Sequence, residues 1–151
     1  MATAVVLAVA AGLVLIFSHG KSEPSFTPLN AAVDPYAKSL EMSRQEMSES
    51  ANLAGSKVTY IDGHIANLGN RTVSGITVQV LFHNAVHEVA QNETLPIKII
   101  RTREPYVDVE ALAVAPIKPD AGADFRLVFD TVSQDWDGAY PEIRIIHVET
   151  K

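Results

Sequence analysis

Apolar residues follow two regimes along the chain. Ala2 to Phe17 reads ATAVVLAVAAGLVLIF, sixteen uncharged and mostly apolar residues. No polar face interrupts this run, so it does not read as a helix laying one side on a core. From Lys57 onward the period is two. Thr59, Ile61 and Ile65 share one face of KVTYIDGHIAN, with Gly63 between them. Val78, Val80 and Phe82 alternate with Thr77, Gln79 and Leu81; Phe125, Leu127 and Phe129 repeat the pattern, as do Ile143 and Ile145. Gly, Pro, Asn and Asp separate these runs at intervals of about ten residues, the spacing of an all-β sandwich or barrel. Pro96, Pro105, Pro116, Pro119 and Pro141 fall at the predicted strand ends, where a missing N–H does least harm. Leu95 to Val114 is denser and predicts two strands joined near Arg103-Glu104-Pro105. No long helix is needed after residue 55.

Between the two regimes, Ser18 to Asp34 carries Pro24, Pro28 and scattered Ser, Asn and Thr without apolar periodicity, as an extended tether does. Over Pro35 to Ala54 two patterns compete. Asp34 before Pro35 has the form of an N-cap followed by Pro at the first helical position, with Tyr36, Leu40 and Met47 on one helical face. Leu40 and Met42 also alternate with polar neighbours, which favours a first strand. The organisation expected is a helix over 1–20, a tether over 21–38 and a sandwich over 39–151.

As a helix, the apolar head covers about 24 Å at ~1.5 Å per residue, against ~30 Å of hydrocarbon. Met1, Ser18 and Gly20 extend it, and local thinning of the bilayer absorbs the rest. A cleaved signal peptide needs a basic n-region and a small-x-small cleavage site, and neither is present. The head therefore predicts a transmembrane anchor. Ala4, Ala8 and Gly12 recur every four residues and form a stripe of small side chains along which another membrane helix can approach closely. Lys21 is the only nearby basic side chain, so the positive-inside rule has little to count.

Charge sharpens this division. Lys and Arg total 12 and Asp and Glu total 18, a net charge of −6, and none of these falls in the first 20 residues. A net-acidic body lacks the basic stripe that sequence-independent nucleic-acid binding requires. With no Cys, disulfides, thiolate zinc sites, iron–sulfur clusters and thiol acylation are excluded.

The run Lys57 to Val73 holds Gly63-x-Ile65-x-Asn67, then the turn residues Gly69-Asn70, and Val78-x-Val80-x-Phe82 follows. These motifs resemble FxLYD-like domains, in which a G-x-V-x-N strand precedes a tight turn and a V-x-V-x-F strand. The stretch from Arg103 through Phe129 to Arg144 is similar to bacterial proteins of unknown function built from an N-terminal anchor and one such domain. Asn84 stands where those domains carry Asp, and Ala85-Val86-His87 replaces their usual Gly turn. The resemblance implies an immunoglobulin-like sandwich of about seven strands on the extracytoplasmic side. It implies no catalytic residue.

Candidate chemistry in the body is sparse. His83-x-x-x-His87 would present two imidazoles to zinc on a helix, but here it flanks a predicted hairpin tip without the metalloprotease Glu. Asp135-Trp136-Asp137-Gly138 is half of a calcium loop and reads more simply as a Gly-terminated turn with Trp136 closing the sandwich. The charges of Arg101, Arg103, Glu104, Asp108 and Glu110 suit a solvated edge strand. The sequence thus predicts no catalytic, cofactor-binding or metal-binding residue. It predicts a single-pass accessory subunit of a larger integral membrane complex, an energy-transducing one among the candidates. The expected partners are the lipid bilayer and other membrane subunits packed on Ala4, Ala8 and Gly12, with neither nucleic acid nor a small-molecule substrate. The alternative is a stand-alone binding module for a peptide or glycan, at its loops or by strand addition. A metal site using His83, His87 and His64 or His147 ranks last.

Overall fold

The computed structural model describes residues 27–51 and 53–151. The period-two runs become strands. After a 3₁₀ turn at Pro35–Ser39 come β1 (Leu40–Ala51), β2 (Lys57–Asn67), β3 (Val73–His83), β4 (Val89–Pro96), β5 (Lys98–Thr102), β6 (Asp108–Ala111), β7 (Gly122–Phe129) and β8 (Glu142–Thr150). They form two antiparallel sheets, one ordered β1-β2-β7-β5-β6 and the other β4-β3-β8. One core joins the apolar faces of both, with Ile61, Ile65, Phe125 and Leu127 from the first and Val78, Val80, Phe82 and Ile145 from the second. The expected all-β class holds, with eight described strands. No described helix is long and apolar enough to cross a membrane. The anchor expected over 1–20, with Ala4, Ala8 and Gly12, lies outside the described residues.

Over Pro35–Ala54 the strand prevails: the Asp34-Pro35 cap opens only a five-residue 3₁₀ turn, and Leu40 and Met47 lie on β1 rather than on a helical face with Tyr36. Asp34 caps the 3₁₀ turn by accepting from the Tyr36 N–H at 2.8 Å, Pro35 fills the first turn, and Leu40 then enters β1. One residue of the β2 motif fixes the turns around it. The Asn67 side chain is fully buried; its Oδ1 accepts from Tyr36 Oη and the Gly69 N–H, both at 3.1 Å, and its amide donates to the carbonyls of Arg71 (2.7 Å) and Ile117 (3.1 Å). Gly63 faces Phe125 across β2 and β7, and a Cβ there would stand 2.7 Å from the phenyl ring. Only glycine lets that ring lie over the strand.

The tether expected over 21–38 is described from Thr27, and this part is docked rather than free. Thr27 to Val33 forms a strap over the outer face of the three-stranded sheet. Three side chains on three adjacent strands donate to three successive strap carbonyls: Asn92 of β4 to Thr27 O (2.7 Å), Gln79 of β3 to Pro28 O (2.8 Å) and Arg144 of β8 to Leu29 O (3.0 Å). Thr94 Oγ1 donates to Thr27 Oγ1 at 2.8 Å. The strap ends at Asp34, whose N–H donates to Ile145 O (3.0 Å) and whose carboxylate accepts from the Val148 N–H (2.9 Å).

The sheet edges are guarded, each by a different device. On β1 a bulge sets Arg44 and Gln45 against Gly63, with Arg44 at φ 50°. The strand β6 has only four residues. Asp34 occupies part of the β8 edge. On β4, Glu93 lies opposite the core residue Val80, placing a carboxylate on the inward side of the edge.

Candidate functional site

On the outer face of the five-stranded sheet, alternation turns charged side chains of neighbouring strands towards one another. Asp62 lies directly across from Arg126, and His64 from Asp124. Arg126 grips Asp62 through both ends of its fork, Nε to Oδ1 at 2.6 Å and Nη2 to Oδ2 at 2.8 Å, while its guanidinium carbon sits 4.6 Å from the Tyr60 ring centroid. Arg103, from the loop between β5 and β6, donates to Asp62 Oδ2 (3.1 Å) and Asp124 Oδ2 (3.2 Å). Arg44 reaches Asp124 Oδ1 from the β1 bulge at 3.4 Å, and His64 Nδ1 lies 2.8 Å from the same oxygen. Around these groups runs a shallow groove of about 180 Å³ lined by Arg44, Glu46, Asp62, Gly63, Arg103 and Asp124.

The pairing sets the protonation states. Burial works to raise the Asp62 pKa, but the hydrogen bonds and charges of Arg126 and Arg103 outweigh it and hold the carboxyl below the usual carboxylate range. For Asp124 the hydrogen bond from His64 is the largest effect; with Arg103 and Arg44 it overcomes partial burial, and this pKa is lowered too. Both arginines are held more firmly protonated, Arg103 through Asp124 and Asp62, and Arg126 through Asp62. Carboxylates this acidic stay ionised at neutral pH and are poor proton donors there. No activated nucleophile adjoins them among the described residues. The arrangement fastens the Arg103 loop to the sheet and presents a patterned surface.

The residues singled out by sequence lie apart. His83 ends β3 and His87 sits in the following turn at φ 64°, so their spacing is not the helical one that would converge on a metal. His64 belongs to the charge network, and His147 lies on β8 beyond the opposite face, 4.0 Å from Asp34. Among the described residues no group of three or more His, Asp or Glu side chains is placed to hold a metal ion. Asp135 to Gly138 forms a turn: Asp137 Oδ1 accepts from the Ala139 N–H (2.8 Å), Gly138 has φ 82°, and Trp136 packs edge-on against Phe82 with ring centroids 5.4 Å apart. Within the charge-rich stretch Arg101 pairs with Asp108 across the β5–β6 hairpin, as a solvated edge requires, whereas Arg103 turns to the network. The alternation Asp62-x-His64 and Asp124-x-Arg126 was the available clue to that network; it needed the β2–β7 register to become a site.

No curated protein and no solved structure matches this chain. Residues 34–143 match a family described as a protein of unknown function, DUF2393. The FxLYD-like resemblance thus rests on strand and turn motifs, and the family matched carries a different name. The matched range opens at the Asp34 cap and contains the whole charge network, while the strap carbonyls of Thr27, Pro28 and Leu29 precede it. The chain is a member of the DUF2393 family.

Proposed function

We propose that this protein is a non-catalytic, single-pass membrane-anchored subunit that holds an immunoglobulin-like domain against the extracytoplasmic face of a larger integral membrane complex. The strand orders β1-β2-β7-β5 and β4-β3-β8 follow the A-B-E-D and C′-C-F pattern of immunoglobulin sandwiches, with β6 added. The observation that carries the reading is the docked strap. With Ala2–Phe17 as the anchor and Thr27 fastened to β4, only Ser18 to Phe26 separates membrane from domain. Ten Cα steps reach about 35 Å at full extension. A domain on so short a leash works on its immediate neighbours in the bilayer. The guarded edges weigh against the alternative of strand addition.

The test is purification of the full-length protein from its native membrane in mild detergent. A stoichiometric membrane partner is expected, and replacing Ala4, Ala8 and Gly12 by Leu should release it. Unchanged co-purification of that triple variant would remove the packing stripe from the account, and a clean monomer would favour a stand-alone binding module.

A further inference from the structure

We infer that the open end of the sandwich is a docking cleft for a basic side chain, Lys or Arg, of a protein partner. Strands β1 and β2 and the loop after β7 enclose a cleft of about 390 Å³, among whose lining residues are Glu49, Lys57, Thr59, Asp130, Gln134 and Trp136. Thr59 is only 3% exposed, and its hydroxyl makes no hydrogen bond among the described residues. The hydroxyl is not sealed in the core but lines the cleft, where a donor entering from outside can reach an oxygen that no described protein group occupies. Asp130 and Gln134 likewise have no side-chain partner among the described residues. The Trp136 N–H is already given to Ala139 O at 2.9 Å, so the indole offers the cleft its ring rather than a donor. A hydroxyl acceptor, a carboxylate and an aromatic ring in one recess suit an ammonium or guanidinium group, which donates hydrogen bonds, pairs with the carboxylate and is drawn to the ring.

The surroundings have the same sign. At this end Glu88, Asp130, Asp135 and Asp137 enter no ion pair among the described residues, in contrast to Asp62 and Asp124, which are matched by arginines. The Asp137 N–H donates to His83 O at 3.0 Å and so ties the acidic loop to the end of β3. The basic groups here are Lys57, which is bound to Glu49 at 3.2 Å, and the imidazoles of His83 and His87. The resulting field attracts a cationic segment and repels phosphate-bearing polymers. The inference rests on the interaction reading above only in taking the ligand to be a protein segment.

Trp136 is the only tryptophan of the chain and lines the cleft, so its fluorescence reports occupancy. The full-length protein in detergent is titrated with a tetra-arginine peptide and, separately, with a tetra-glutamate peptide. The expected result is a saturable change with tetra-arginine alone, weakened when ionic strength rises from about 0.02 M to about 0.3 M. Asp130→Asn should weaken binding by about tenfold, and Thr59→Val should weaken it further, while Glu41→Gln, at the end of β1 away from Glu49, should leave it unchanged. Asp130 is exposed, so its variant reads the cleft without threatening the fold. No saturable change up to about 1 mM peptide, or equal affinity in the Asp130 and Glu41 variants, would overturn the proposal. Either failure is independent of whether a membrane partner co-purifies.

Discussion

The two sheets treat their outer faces in opposite ways. The three-stranded sheet covers its face with a piece of its own chain, held by Asn92, Gln79 and Arg144 through backbone carbonyls. The five-stranded sheet leaves its face to solvent and crosses it with side-chain ion pairs around Asp62 and Asp124. Gln79 is fully buried beneath the strap, whereas the Arg44 and Arg103 side chains of the open face remain about half exposed or more. A buried amide whose partner is removed leaves an unsatisfied group in a low-dielectric setting; a solvated ion pair falls back on water. The covered face is therefore the firmer attachment, and the open face carries charge at little energetic stake.

This difference predicts a graded series of effects. Gln79→Ala should be the most damaging, because it leaves Asn92 Oδ1 without its donor, leaves Pro28 O with the Ala31 N–H alone and opens a void under the strap; a loss of about 2–4 kcal/mol in denaturant unfolding is expected. Asp62→Asn should cost less, about 1–2 kcal/mol, since Arg126 and Asp62 are mostly but not wholly withdrawn from water. Arg44→Ala, at 69% side-chain exposure, should fall within about 0.5 kcal/mol of wild type. A Gln79 variant no weaker than the Arg44 variant would erase the contrast between the faces.

Acid should separate the faces as well. The Asp62 and Asp124 pKa values are lower in the folded chain than the ordinary value near 3.9, so their pairs stabilise the fold above that pH. That contribution is lost as pH falls through the lower folded values. Thermal melts from pH 6 down to about pH 2 should show this loss in wild type. The double variant Asp62→Asn, Asp124→Asn should have a flatter profile below about pH 4, and Gln79→Ala should retain the wild-type slope at lower overall stability. The same slope in all three proteins would dismiss the ion network as its origin.

Much of the fold was legible because burial leaves a period. Ile61, Ile65 and Phe125, Leu127, Phe129 alternate since one side of each strand enters the core, and Gly63 and Asn67 mark a ring crossing and a turn that few other residues could serve. The strap was not legible. It is held mainly by its carbonyls, which every residue possesses, so Thr27 to Val33 bears no pattern that distinguishes a docked segment from a free one. Its receptors were visible only as polar residues in strands, and nothing local to Gln79 or Asn92 announces a partner about fifty or sixty positions upstream. The charge network failed to emerge for a related reason. Arg103 reads as one of several edge charges until the β5–β6 loop is folded back beside β2 and β7.

The short leash is the central claim, and a distance measurement tests it most directly. The chain has no Cys, so Val86→Cys gives a single exposed labelling position in the turn between β3 and β4. The labelled full-length protein is placed in lipid nanodiscs bearing an acceptor lipid, and energy transfer is compared with that of a variant also carrying Gln79→Ala, Asn92→Ala and Arg144→Ala. Releasing the strap frees the chain from Ser18 to Val33 and raises its maximal reach from about 35 Å to about 60 Å. Strong transfer in the parent and clearly weaker, broader transfer in the strap variant is the predicted result. Equal transfer in the two proteins would contradict the account.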